Sequence, residues 1–151
     1  MGRIGSAVAA LLNNFGVEIV YFDHIVRTKN KFTKFLGFEV LLKTADIITL
    51  HISGSQTLLD EKALSLCKEG SFMINCARGG LIDETALYAH LKNGHLAGAA
   101  LDVFEQEPYT GELKNLNNVI LTSHIGSYAR ESRVEMEIQA VQNLIKGLNI
   151  K

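Results

Sequence analysis

The sequence predicts a doubly wound α/β fold, in which helices cover both faces of a parallel β-sheet. Short, uninterrupted apolar stretches alternate along the chain with longer stretches of helical periodicity, which is the pattern of buried parallel strands joined by helices. Thirteen glycines against one proline supply many tight turns and few helix breakers. A length of 151 residues with 47% hydrophobic residues allows one domain with a single packed core.

The first third of the chain is predicted to form a helix and then a strand. The helix has apolar residues at helical spacing, namely Ile4, Val8, Leu11, Leu12 and Phe15. Gly16 stands where a left-handed residue commonly ends a helix. The β-rich stretch 17–22 follows and is closed by Asp23. Between residues 30 and 43, strand and helix interpretations compete.

The central part of the chain predicts two more strands with a helix between them. Residues 47–50 form a buried apolar stretch, and a polar turn over residues 53–55 follows it. The next helix is expected to start at Asp60 and to carry Ala63, Leu64 and Cys67. Residues 72–76 then read as another strand.

The last part of the chain predicts two helices and two strands. Residues 78–80 form a loop, and Asp83 is a good N-cap for a helix that ends at Gly94. Residues 96–103, rich in Gly and Ala, and residues 119–121 are expected to be strands. A long amphipathic stripe follows, which packs either on its own sheet or on a neighbour, and it consists of Val134, Ile138, Val141, Ile145 and Leu148.

Composition excludes several classes of function. The formal net charge is −1 and no cluster of lysine and arginine is present, which argues against a nucleic-acid or charged membrane surface. The apolar stretches are far shorter than the roughly 18 residues that span a bilayer, and no signal peptide opens the chain, so a cytoplasmic protein is expected. Cys67 and Cys76 lack zinc-site spacing and are both expected to be reduced and buried, although a pair is conceivable.

The start of the chain carries the features of a dinucleotide site. Gly2–Arg3–Ile4–Gly5 leads directly into a helix, and Asp23 ends the following strand 21 residues after Gly2. Such glycines let the backbone approach a pyrophosphate at a helix N-terminus, and an acid at that strand end binds the adenosine ribose and favours NAD over NADP. The first glycine of G-x-G-x-x-G and the strand before it are missing, so a purely structural strand-to-helix turn is the alternative.

Three residues with useful chemistry each follow a different predicted strand. Arg78, Glu107 and His124 should therefore meet in the crevice at the carboxyl ends of a parallel sheet. An arginine fork suits a substrate carboxylate, histidine titrates near neutrality, and a neighbouring glutamate favours the imidazolium and fixes the ring. Taken singly, each residue has an ordinary alternative as a loop salt bridge, a solvated carboxylate or a packing histidine.

Five blocks of sequence together resemble the NAD-dependent D-2-hydroxyacid dehydrogenases, and in particular the phosphoglycerate dehydrogenase branch. The resemblance runs in order over nearly the whole chain. The blocks lie at residues 2–5, 45–51, 75–83, 97–108 and 123–126. The resemblance implies a Rossmann-like cofactor domain of an oxidoreductase that transfers hydride between NAD and a D-2-hydroxy acid or 2-keto acid.

The resemblance also implies roles for individual residues. Arg78 would hold the substrate carboxylate and carbonyl oxygen, His124 would exchange the hydroxyl proton, and Glu107 would orient His124. Asp102 would lie near the nicotinamide carboxamide, with a buried strand-end cap as its structural alternative. The implied NAD-binding residues are Gly2, Arg3, Ile4, Gly5, Asp23, His51, Cys76, Ala77, Arg78, Asp102, His124 and Gly126.

The chain departs from the family pattern at its start. The fold is expected to lack its first strand, which would lie between the strands at 17–22 and 46–51, and a separate substrate domain would precede it. Residues 33–46 look shortened, as though a strand and a helix were compressed into 37–43.

These departures shape the expected organisation and activity. Residues 1–127 are expected to form the NAD-binding domain, and residues 128–151 the helix that crosses towards the substrate domain. The chain alone is expected to be a cofactor-binding domain that is inactive without the substrate domain. The expected oligomer is a homodimer. One alternative is an NAD-binding or dimerisation module without turnover, and another is a fragment of a longer gene product with no independent role.

Overall fold

The computed structural model describes residues 1–25, 32–54 and 56–149. The helices are α1 (Arg3–Leu12), α2 (Phe38–Thr44), α3 (Glu61–Ser65), α4 (Glu84–Lys92) and α5 (Arg130–Gly147). The strands are β1 (Ile19–Tyr21), β2 (Thr33–Phe35), β3 (Ile47–Leu50), β4 (Ser71–Asn75), β5 (Leu96–Leu101) and β6 (Val119–Leu121). Short 3-10 turns lie at Asn13–Phe15 and Glu112–Asn115.

All strand pairs are parallel, which confirms the predicted α/β class. β1 pairs with β2, and β3, β4, β5 and β6 form a four-stranded sheet in that order. Among the described residues β1 and β3 are not paired with each other. The two sheets are thus separated between β1 and β3, where the first strand of the resembled fold was predicted to lie.

The core lies on one face of the four-stranded sheet. Helices α2, α3 and α4 contribute apolar side chains to it, and the loops 58–60 and 81–83 close it. The largest fully buried hydrophobic side chains are Leu42, Leu59, Leu64, Met73, Leu81, Leu87, Leu96 and Leu113. Burying a leucine stabilises the fold by about 2 kcal/mol, so this layer fixes the sheet on which the loops of the site are mounted.

The opposite face of the four-stranded sheet is more open than the sequence predicted. Ile47, Phe72 and Ile120 are 60%, 49% and 66% exposed. The reason is that α1 buries only Gly5 and Ala9 and α5 buries no residue. The expected helical cover is therefore complete on one face only, within the described part of the chain.

The residues that the sequence predicted at helix ends are confirmed. Asp60 and Asp83 cap α3 and α4, where their carboxylates accept hydrogen bonds from first-turn N–H groups at 2.8–3.0 Å. Gly16 and Gly94 both adopt positive φ, as predicted for residues at which helices end. These caps set where the chain leaves each helix and re-enters the sheet.

Several predicted boundaries are wrong. The strand expected at 17–22 pairs only over Ile19–Tyr21, because β2 offers three partners. The strand expected at 96–103 ends at Leu101, although the N–H of Asp102 still donates to the carbonyl of Asn75 on β4. The helix after Asp60 ends at Ser65, so Cys67 lies beyond it.

Residues 37–43 are not a compressed strand and helix. They belong to the N-cap and body of α2, and the strand β2 precedes them at Thr33–Phe35. The competing interpretations of residues 30–43 are both realised, one after the other. The part of that segment at residues 30–31 lies outside the described residues.

The prediction that both cysteines are buried is half wrong. Both are free thiols, and Cys67 is buried, but Cys76 is exposed. Cys76 follows the last residue of β4, where Asn75 turns its side chain inwards and the next side chain therefore points outwards. No described helix is both long and apolar enough to cross a membrane.

Candidate active site

The loops that follow the strands of the four-stranded sheet surround an open cavity of about 560 Å³. Three segments line most of it, namely residues 78–80 after β4, residues 104–107 after β5, and His124 after β6. Arg78, Glu107 and His124 thus lie around one space, although they are far apart in sequence. A second cavity, of about 490 Å³, adjoins it and shares Phe104, Glu107 and His124.

The position of Arg78 is set by the side chain of Asn75. Asn75 is 2% exposed; its Oδ1 accepts from the N–H of Ala77 at 3.0 Å, and its Nδ2 donates to the carbonyl of Arg78 at 2.9 Å. The guanidinium donates to the Ala77 carbonyl at 2.6 Å and forms no ion pair with any described residue. Sequence reasoning missed Asn75, whose signal is an asparagine at a strand end opening a turn.

Gly79 brings the arginine loop against the glutamate loop. A Cβ built on Gly79 would lie 1.8 Å from the carbonyl oxygen of Phe104 and 2.9 Å from the N–H nitrogen of Glu105. No side chain fits there, so the two backbones can touch only because residue 79 is glycine. This contact keeps Arg78 and Glu107 beside the same cavity.

His124 and Glu107 form a hydrogen-bonded pair. His124 Nδ1 lies 2.9 Å from Glu107 Oε2, and Glu107 Oε1 accepts from the N–H of Phe104 at 3.1 Å. The hydrogen bond from His124, and after it that from Phe104, hold the pKa of Glu107 below its ordinary value. The carboxylate is therefore ionised near neutral pH and holds the imidazole by Nδ1, which leaves Nε2 for another partner.

Asp102 is buried beneath the loop that carries His124. It is 6% exposed and accepts hydrogen bonds from Thr122 Oγ1 and from the N–H groups of Ile125 and Gly126. Burial raises the pKa of this carboxyl, but those three hydrogen bonds and nearby His124 more than offset it, so its pKa is lowered. The residue is thus an ionised, fully bonded carboxylate.

The predicted dinucleotide residues gather at the carboxyl ends of β1 and β3. Gly2 is the N-cap of α1 without a side-chain cap, and a Cβ on Gly5 would lie 3.6 Å from the Cβ of His51. Asp23 Oδ2 lies 2.8 Å from the Met1 ammonium. Burial lowers the pKa of His51, whose Nε2 lies 3.1 Å from Thr49 Oγ1.

These features fit a dinucleotide. The first-turn N–H groups of α1 have no side-chain cap, so they are donors suited to a pyrophosphate. The Asp23 carboxylate at the next strand end suits ribose hydroxyls. The side chains of Arg3 and Ile4 are exposed on α1.

The remaining predicted cofactor residues belong to the segments after β4 and β6 that also carry Arg78 and His124. Cys76 is exposed, and burial followed by the charge of Asp102 raises the pKa of its thiol. Ala77 is buried, and the N–H of Gly126 donates a hydrogen bond to Asp102 Oδ2.

Residues 1–126 match the NAD binding domain of the D-isomer specific 2-hydroxyacid dehydrogenases. The chain belongs to this family. The resemblance drawn from its motifs is therefore confirmed, and so is NAD as the cofactor of the domain. The uncapped start of α1 and the Asp23 carboxylate are the parts of the described chain whose chemistry fits this cofactor.

Relatives of the 2-hydroxyacid dehydrogenase family align with almost the entire chain. The glyoxylate reductase of Thermococcus litoralis is 40% identical over 151 residues, which cover 95% of this chain and 46% of that protein. The D-3-phosphoglycerate dehydrogenase of Bacillus subtilis is 39% identical over 99% of this chain and 30% of its own length. The chain spans about half the length, or less, of these relatives.

Solved structures of the same family share the fold. A glyoxylate reductase from Paecilomyes thermophila superimposes with a TM-score of 0.90 at 35% identity, over 95% of this chain and 46% of that one. The NAD-complexed D-isomer specific 2-hydroxyacid dehydrogenase of Lactobacillus delbrueckii ssp. bulgaricus gives 0.85 at 31% identity, over 97% and 51%. The chain thus shares its fold with about half of each of these structures.

Proposed function

We propose that this chain is the part of a D-2-hydroxyacid dehydrogenase that binds NAD and carries the proton-transfer residues. The observation that carries the proposal is the cavity in which Arg78, Glu107 and His124 meet, with His124 and Glu107 paired at 2.9 Å. The reaction is the interconversion of a 2-hydroxy acid and a 2-keto acid. NAD, when bound, supplies the hydride chemistry at the substrate C2.

Arg78 binds the substrate. Its guanidinium is exposed at the cavity and free of any ion pair within the described residues, so it can form a forked hydrogen bond with a carboxylate. The Asn75 amide and the contact of Gly79 with Phe104 hold its backbone in place. Arg78 therefore orients the substrate carboxylate and carbonyl oxygen beside His124.

His124 exchanges the proton of the substrate hydroxyl. Glu107 accepts from Nδ1, which directs Nε2 to the cavity and stabilises the charged imidazolium that forms when the hydroxyl is deprotonated. An imidazole that reaches the substrate oxygen can donate a proton in one direction of the reaction and accept it in the other. Glu107 is the residue that orients this group.

The proposal includes an organisation of the whole protein. Residues 1–127 form the NAD-binding unit, and residues 128–151, with α5, extend towards a substrate domain in a cytoplasmic homodimer. The exposed apolar side chains of α5, such as Val141 and Leu144, support a partner surface on this helix. Asp23 favours NAD over NADP, because its carboxylate repels a 2′-phosphate.

Cofactor binding is tested first on the chain itself. A calorimetric titration is expected to show that NADH binds to the chain and that NADPH binds more weakly. An Asp23→Ser variant should reduce the preference for NADH by about tenfold or more, which corresponds to about 1.4 kcal/mol. Failure of NADH to bind at about millimolar concentration would reject both this function and its alternative.

Turnover is tested in a protein that also carries a substrate domain, such as the remaining half of the Thermococcus relative joined to this chain. NADH oxidation with a 2-keto acid is expected, and His124→Ala should lower kcat by about 100-fold to 10,000-fold. The control is His95→Gln, since His95 precedes β5 at the opposite end of the strands. An unchanged rate in His124→Ala would show that His124 is not the proton donor.

One observation favours an alternative, an NAD-binding or dimerisation module without turnover. The helix α5 buries none of its 18 residues, and its apolar stripe is available for association. NADH binding without keto-acid reduction in the joined protein, together with self-association of the chain, would support this alternative over the dehydrogenase.

A further inference from the structure

The loop that carries His124 folds around a single buried carboxylate. Asp102 Oδ1 accepts from Thr122 Oγ1 at 2.5 Å and from the N–H of Ile125 at 2.9 Å, and its Oδ2 accepts from the N–H of Gly126 at 2.8 Å. These donors come from both sides of His124 in sequence. The carboxylate thus ties together the segment on which the histidine is mounted.

His124 needs such a tie because its backbone is unfavourable. Its φ is +56°, the left-handed region that residues with a Cβ rarely adopt. A left-handed residue followed by two N–H groups that converge on one anion is a backbone nest. Here the anion is the protein's own side chain, and it compensates for the strained turn.

Asp102 is itself fixed to the sheet. Its N–H donates to the carbonyl of Asn75 at 3.0 Å, and the N–H of Thr122 donates to the carbonyl of Leu101 at 3.0 Å. The position of the carboxylate is therefore determined by the pairing of β4, β5 and β6. Through the nest, that pairing determines where the His124 ring lies.

We propose that Asp102 is a positioning residue, which holds the 122–126 loop in the left-handed turn that directs His124 Nδ1 to Glu107. This inference rests on the proposed function for its use in catalysis, but the device itself does not require bound cofactor. Both Asp102 oxygens are already occupied by the loop. Its main contribution is made through the backbone of His124.

The two roles that Asp102 could have, positioning His124 or acting only as a nearby charge, predict opposite changes in the pKa of Glu107. The hydrogen bond from His124 lowers the pKa of Glu107, whereas the negative charge of Asp102 raises it. If Asp102 were only a nearby charge, its neutralisation would lower the pKa of Glu107 further. If Asp102 positions His124, the same change releases the ring and the pKa of Glu107 rises.

The test is a carbon-detected NMR titration of the Glu107 carboxyl in the full 151-residue chain. Asp102→Asn removes the charge and places an amide donor against a loop N–H. Thr122→Val removes one donor to Asp102 and leaves the charge. Thr122→Ser, which keeps the hydroxyl, is the matched control.

We expect the measured pKa of Glu107 to rise towards the ordinary value of 4.5 in Asp102→Asn, and to rise less in Thr122→Val. Thr122→Ser should retain the low value. An unchanged or lower Glu107 pKa in folded Asp102→Asn overturns the proposal. Should that variant fail to fold, Thr122→Val decides, because an unchanged value there overturns the proposal equally.

The readout separates this proposal from the proposed function. It uses neither NADH nor a keto acid, so a chain that fails to bind cofactor can still show the rise at Glu107. Conversely, a chain that binds NADH and shows no rise retains the function and loses the positioning role of Asp102.

Discussion

At the scale of single residues, the candidate site depends on two glycines whose backbone lies close to a neighbouring group. Gly79 contacts the carbonyl of Phe104, and a Cβ on Gly126 would lie 3.0 Å from Asp102 Oδ2. Neither glycine has a positive φ that would explain it. Their role is therefore close approach, which brings the loops of Arg78 and His124 to the loop of Glu107.

Gly79→Ala is predicted to separate the arginine and glutamate loops. The added methyl carbon would overlap the Phe104 carbonyl, so the free energy of unfolding should fall by about 1–3 kcal/mol. Urea unfolding measures this change. Gly147→Ala is the control, since nothing lies within 4 Å of a Cβ there, and its stability should not fall, because alanine favours the helix α5 by up to about 1 kcal/mol over glycine. Equal stability of the two variants would contradict the close contact.

At the scale of secondary-structure elements, the two helices α4 and α5 both carry apolar residues at helical spacing but have opposite environments. α4 buries Ala86, Leu87, His90 and Leu91 against the sheet, whereas α5 buries nothing. Periodicity cannot distinguish them, because an apolar stripe shows that a helix needs a partner and not which partner it has. The stabilities of the two helices in the chain must therefore come from different sources.

Matched leucine substitutions test this difference. Leu87 is fully buried and Leu144 is 60% exposed. Leu87→Ala should lower the free energy of unfolding by about 2–5 kcal/mol, because it leaves a cavity in the core. Leu144→Ala should change it by less than about 0.5 kcal/mol. If thermal unfolding showed similar losses of stability for both variants, α5 would be packed against a partner in solution. Sedimentation would then show whether that partner is a second copy of the chain.

At the scale of the whole molecule, ionised carboxylates at the carboxyl edge of the sheet link stability to pH. Three hydrogen bonds lower the pKa of Asp102, and the pair with His124 lowers that of Glu107. Groups with lowered pKa bind fewer protons in the native state than in the unfolded state. Their stabilisation is complete above the ordinary values of 3.8 and 4.5 and is lost as the pH falls through the lower native values. Glu84 acts in the opposite sense, because burial raises its pKa.

We therefore predict that acid destabilises the chain partly through Asp102. Between about pH 7 and about pH 3, the urea midpoint should fall less steeply in Asp102→Asn than in the parent chain. Glu69→Gln, at an exposed position, should keep the parent slope. A slope in Asp102→Asn as steep as that of the parent would show that its carboxylate does not contribute.

The sequence predicted those strands and helix ends that depend on residues close together in the chain. Residues 119–121 form the predicted strand, and Asp83 caps the predicted helix, because strand propensity and capping depend on neighbours in sequence. The turn made by Asn75 and the nest around Asp102 were not predicted. Both depend on hydrogen bonds between segments that only the sheet brings together.

The sequence by itself determined the alternation of strands and helices, the family and the residue types able to bind a carboxylate and exchange a proton. These follow from periodicity, capping and motif spacing, which are properties of contiguous residues. The sequence also predicted that Arg78, Glu107 and His124 meet at the strand ends. Only the tertiary structure decided which contacts hold them there, that Cys76 is exposed, and that α5 is without cover in the described chain. The reason is that parallel strand register and loop-to-loop packing join residues far apart in sequence, and no local pattern encodes those distances.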